Sequence, residues 1–191
     1  MGRIQFGWLR FLQETLNPDL SSERFICNLK AMNTPPKADP SIYVTLRENA
    51  LLKTRFNNLS GDSVHSVLMD WDVGNGTATV LAAADGTASL YLSSGGGCIG
   101  GGQKYPLMHE LALHAVLLAT DLFSHFESTE TFDLPAAGDV FFYLTTSNGV
   151  RRAIAKEANL ITEIDRLSSL AAIMQEIITQ YRTVSNQSTG S

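Results

Sequence analysis

Three tight-turn signals, each flanked by alternating apolar residues, constrain this chain more than any other feature. Gly74-Asn75-Gly76, Asp85-Gly86 and Ser147-Asn148-Gly149 supply the residue types that accept the positive φ angles of a hairpin. Before the first turn, Val64, Ser66, Leu68 and Asp70 alternate with His65, Val67, Met69 and Trp71, the period of a strand. Segments 77–83 and 87–93 extend this strand into a three-stranded antiparallel meander, and 140–146 with 150–156 form a separate hairpin. Between the two lie a glycine-rich connector and a helix over 105–127, with Pro106 in its first turn. Thr162 and Asp165 form a capping-box-like start to a closing helix that carries Ile164, Leu167, Ala171, Met174, Ile178 and Tyr181. The expected fold is α+β: a five-stranded antiparallel sheet built from a three-strand meander, a crossover helix and a hairpin, with a closing C-terminal helix.

Helical spacing precedes the strands. Ile4, Trp8, Phe11, Leu12 and Leu16 repeat at helical intervals, as do Phe25, Ile26, Leu29 and Met32, until Thr34-Pro35-Pro36 interrupts them. A third helix begins at Ser41, carries Ile42, Leu46, Ala50, Leu52, Phe56 and Leu59, and ends near Ser60-Gly61. The chain therefore divides into an N-terminal helical extension with a Pro-rich linker over 1–40, an α+β domain over 41–184 and a polar tail over 185–191 expected to be disordered. Exposing Phe6, Trp8, Leu9, Phe11 and Leu12 together would leave a sticky patch, so the first segment is expected to pack on the domain or on a partner subunit. The element order over residues 41–183 resembles the layout of profilin-like and roadblock-type domains, with one strand more before the crossover helix than roadblock domains usually have.

Composition and charge narrow the function classes. At 44% hydrophobic and 17% charged residues, the 191-residue chain has enough apolar surface for a packed core. Apolar runs such as 115–119 fall far short of the roughly 18 residues that span a bilayer, so no membrane span is expected. Arg10, Gln13 and Glu14 interrupt the N-terminal apolar stretch before it forms a secretory core, and Phe6 stands where a myristoylation motif needs Ser or Thr. Between Asn57 and Val150 the one base, Lys104, faces ten acids, a formal charge of −9 that argues against phosphate neutralisation and hence against nucleic-acid binding. Cys27 and Cys98 make neither a disulfide framework nor a zinc spacing, which favours a reducing, cytoplasmic setting.

The sharpest local feature is the run Gly95, Gly96, Gly97, Cys98, Ile99, Gly100, Gly101, Gly102, set between a strand and a helix. Bare glycine amides at a helix start can hold a small anion, so these glycines with Cys98 are a candidate ligand site. They also match G-x-G-x-x-G, but in a hairpin meander in place of a βαβ unit, and Asp121 falls inside the helix where a ribose-binding acid is needed, so no dinucleotide is expected. Cys98 near a helix start could act as a thiolate nucleophile if His65, His109, His114 or His125 reached it; a small packed cysteine is the competing reading.

Two acid-bearing patterns invite metal readings. His109 and His114 are five residues apart, one too many for the two histidines of a zincin helix, while Glu110, His114, Asp121 and His125 fall within about 60° of arc at 100° per residue. Asp70-Trp71-Asp72 is a D-x-D, but Asn75 and Leu81 occupy the positions where a calcium loop needs Gly and Glu. No cofactor and no metal are expected. On the crossover helix, Met108, Leu111, Ala115, Leu118, Ala119, Leu122 and Phe126 form a sheet-facing stripe, and Leu113, Val116 and Leu117 point elsewhere, as a candidate homodimer contact, with cover by a second helix of the same chain, such as the one over 164–181, as the alternative. The function read from the residues is a non-enzymatic binding or scaffolding domain acting through protein–protein contacts. The alternatives are a small-ligand or anion-binding sensor using the Gly95–Gly102 loop and an enzyme using Cys98 or Glu110 with His114.

Overall fold

The computed structural model describes residues 40–52, 61–74 and 76–188. The expected helices within 1–33, with Cys27, the linker up to residue 39, the end of the third helix over 53–60 and Asn75 lie outside the described residues. The chain runs α1 (Pro40–Leu52), β1 (Ser66–Asp72), β2 (Thr77–Ala83), β3 (Ala88–Leu92), β4 (Gly97–Cys98), α2 (Gly101–Lys104), α3 (Pro106–Asp121), a 3-10 turn (Phe123–His125), β5 (Glu127–Ser128), β6 (Asp139–Thr146), β7 (Gly149–Lys156), α4 (Glu157–Ile161) and α5 (Ser168–Ser188).

The described residues form an α+β fold with one antiparallel sheet, but the sheet has seven strands, in the order β4-β3-β2-β1-β6-β7-β5, where five were expected. The two additions are two-residue strands at the edges. β4 forms inside the glycine connector, pairing Cys98 with Leu90 and Gly97 with Tyr91, and β5 pairs Glu127 and Ser128 with Arg152 and Arg151. Neither carries an alternating pattern long enough to be read along the chain. Glycine is what allows β4, because a Cβ on Gly97 would lie 2.2 Å from the Leu90 carbonyl oxygen.

Helix ends differ from expectation for local reasons. The crossover helix α3 stops at Asp121, and the residues that follow tighten into the 3-10 turn that delivers β5. The closing helix is split: the Thr162 hydroxyl donates back to Ala158 O, and the Asp165 carboxylate accepts from Leu167 N ahead of α5. α5 continues to Ser188, so 185–188 of the expected tail are helical.

Side-chain alternation sends two kinds of residue to the two faces of the sheet. Val67, Met69, Trp71, Val80, Ala82, Leu90, Phe142 and Leu144 face α3 and α5, meeting Met108, Ala112, Ala115, Ala119, Leu170, Met174, Ile177 and Tyr181 in the main core. Leu68, Phe141 and Tyr143 face the other way and pack with Leu51 of α1. β1 is covered on both sides, which is why six of its seven residues are buried.

Candidate functional site

The glycine connector folds back onto the domain. A Cβ on Gly101 would lie 2.4 Å from the Tyr181 hydroxyl, and one on Gly102 would lie 1.8 Å from the Gly86 carbonyl oxygen. Three of its amides donate internally: Gly95 N to Leu92 O, Gly100 N to the Ser89 hydroxyl and Gly101 N to the Tyr181 hydroxyl. α2, the helix that Gly100 starts, is only four residues long. Cys98 is buried in the main core, with its backbone paired to Leu90. The loop is thus close-packed through its glycines, and Cys98 faces apolar neighbours.

On α3 the structure divides the proposed contact residues. Val116 is 8% exposed and belongs to the main core, because α5 lies beside α3 on the same face of the sheet. Leu113 and Leu117 are 39% and 63% exposed, and Leu107 joins them at 48%. The expected sheet-facing stripe is rotated: Met108, Ala115, Ala119 and Phe126 are buried as expected, Ala112 and Val116 join them, and Leu111, Leu118 and Leu122 are half-buried at its edges. At about 100° per residue, Leu107, Glu110, Leu113, His114, Leu117 and Asp121 share about 120° of outward-facing arc. Glu110, His114 and Asp121 are all exposed there. His125 leaves the arc, since it lies in the 3-10 turn, where its Nε2 meets Arg166 Nη1 at 3.2 Å. Among the described residues no group of three or more His, Cys, Asp or Glu side chains could hold a metal ion.

The D-x-D pair is divided as well. The Asp72 carboxylate accepts from Gly74 N at 2.8 Å and shapes the β1–β2 turn. Asp70 is fully buried on the α1 face, where Arg47 Nε and Nη2 donate to its Oδ2 at 2.9 and 2.6 Å and the Thr79 hydroxyl donates to Oδ1. Arg47 also donates to Phe132 O and Asp133 O, Tyr43 meets Thr79 at 2.9 Å, and the Tyr143 hydroxyl donates to Asp133 O. Burial pushes the Asp70 carboxyl above the ordinary carboxylate range, against the pull of Arg47 and Thr79. For Arg47, burial favours the neutral form, but the hydrogen bond and charge of Asp70 outweigh it and hold the guanidinium above its ordinary value. Burial, followed by the charge of Asp70, pushes Tyr43 up to about 12. This network joins α1, β1, β2, β6 and the 129–138 connection, and with every charge partnered it locks α1 onto the sheet. Nothing in the spacing of Arg47 and Asp70, 23 positions apart, announces the pair.

Among the described residues no helix is long and apolar enough to cross a membrane. Comparison with protein-family models, curated proteins and solved structures finds no match to the chain.

Proposed function

We propose that the protein is a binding or scaffolding module that acts through protein–protein contacts and pairs with a second copy through the outer face of α3. The observation that carries this reading is the exposure of Leu107, Leu113 and Leu117 on one arc of a helix whose opposite side is already buried against the sheet and α5. A helix apolar beyond its core stripe has a second surface to cover, and Glu110, His114 and Asp121 interleave it with the polar groups that keep such a surface soluble when it is open. A two-fold contact would set this face against its own copy. The cysteine usage, with Cys98 buried and no disulfide framework in the sequence, supports a cytoplasmic setting. Light scattering on the native chain and on Leu117→Glu tests the reading. A dimer at micromolar concentration that becomes a folded monomer on substitution is expected; a native monomer overturns it.

A further inference from the structure

The tip of the β6–β7 hairpin sets the hydroxyl of an exposed serine against a buried imidazole. Ser147 Oγ lies 3.2 Å from His65 Nε2, across 82 positions of sequence. His65 is 1% exposed. Its N–H donates to Thr145 O at 2.8 Å and its carbonyl accepts from Ala84 N at 2.9 Å, so both neighbouring strands hold its backbone. Burial lowers its pKa below the ordinary histidine value, which keeps the ring neutral at neutral pH. The Ser147 hydroxyl donates to Nε2 in the Nδ1–H tautomer, the one this chemistry needs, and accepts from it in the Nε2–H tautomer.

Ser147, by contrast, is exposed, and the turn that presents it is tied on both sides. The Thr146 hydroxyl accepts from Asn148 N at 3.1 Å and donates to Gly149 O at 3.0 Å, and Asn148 Nδ2 donates to Asp62 Oδ1 at 3.0 Å. Beside the tip lies an open recess of about 420 Å³, lined by Asp62, Ser128, Thr129, Asn148 and Arg151 among others. A second recess of about 120 Å³ reaches His65 from the α1 side; Asp85, from the β2–β3 turn, is the charged residue that lines it with His65.

We propose that Ser147 is a nucleophile with His65 as its general base, and that it takes the acyl group of activated carboxylic esters that reach the hairpin tip. A nucleophile and a base within hydrogen-bond reach, the first on an exposed turn and the second buried, is where acyl transfer to a hydroxyl starts. The Ser147 Oγ–H proton passes to His65 Nε2 as Oγ bonds to the ester carbonyl carbon. When the tetrahedral intermediate collapses, the bond to the departing alcohol breaks and that alcohol takes the proton from Nε2. Acyl-Ser147 and a neutral imidazole remain, and no further reactant is consumed. The site is separate from the α3 face and shares no residue with it.

A hydrogen bond that only fastens the hairpin to β1 predicts different behaviour, and a fluorophosphonate probe on the full chain separates the two. The expected result is one adduct, mapped by mass spectrometry to Ser147, forming at least about tenfold faster than on the urea-unfolded chain. It is absent in Ser147→Ala. It falls at least about tenfold in His65→Gln, whose amide can keep the hydrogen bond but cannot take the proton. No adduct at Ser147, or equal labelling in His65→Gln, overturns the proposal. Should His65→Gln fail to fold, the wild-type labelling rate against pH decides. A fall on acidification below the ordinary histidine value of about 6.5 supports the base, and a flat profile overturns it.

Discussion

The Tyr181 hydroxyl and the Gly101 amide nitrogen stand 3.1 Å apart, and the same hydroxyl donates to Ala88 O at 2.6 Å. One buried side chain near the end of α5 therefore bridges the start of α2 to the first residue of β3, closing the glycine connector from 80 positions away. Residue 101 must lack a Cβ for that approach, since one would meet the hydroxyl at 2.4 Å.

Removing the hydroxyl in Tyr181→Phe leaves a buried donor and a buried acceptor without it, at a cost of about 1–3 kcal/mol in urea unfolding. Gly102→Ala is expected to cost more than Gly101→Ala. Its Cβ would meet the Gly86 backbone, which cannot turn aside, where Gly101 meets the tip of a side chain. Equal midpoints for the two glycine variants would contradict this packing.

Breaking the buried pair by Arg47→Met leaves Asp70 without its cation and is expected to destabilise by about 3–5 kcal/mol. The double variant Arg47→Met with Asp70→Asn should lose less than the sum of the two single variants, because the second change removes the stranded charge. Additive losses in thermal melts would show that the pair is not coupled.

Glu157 supplies a pH test with a definite sign. Burial raises its carboxyl pKa, the Trp71 indole N–H bond opposes this, and the charge of Asp72 adds to the rise. With the folded value above the unfolded one, the folded chain binds more protons in the interval between them. Stability is then fully present below the unfolded value and falls as pH rises through the folded one. Glu157→Gln, which keeps an acceptor for Trp71, should gain stability over wild type at pH 7 relative to pH 4. A wild-type-to-variant difference that is the same at both pH values would sink the idea.

Cys98 should alkylate slowly in the native chain. It is 8% exposed within the main core, so iodoacetamide reaches it only through opening of the β3–β4 edge. Peptide mapping is expected to show at least about tenfold slower modification of Cys98 than in the urea-unfolded chain. Native and unfolded rates that agree would mean the connector is open.

By itself, the sequence determined the elements whose signals are local. Val67, Met69 and Trp71 against Leu68 and Asp70 carry the period of two, and Asp85-Gly86 and Asn148-Gly149 carry the turn chemistry, so the meander, the hairpin and the antiparallel sheet were legible from neighbouring residues alone. The two edge strands were not, because pairing Cys98 with Leu90 or Glu127 with Arg152 depends on a partner strand and not on a two-residue pattern. Periodicity marked Val116 and Leu117 alike as pointing away from the sheet; only the placement of α5 decided that Val116 is core and Leu117 is surface. Arg47 with Asp70 and His65 with Ser147 were likewise decided by the tertiary structure. Each pair joins residues far apart in the chain whose contact exists only once α1 lies on the sheet or the β6–β7 turn reaches the start of β1.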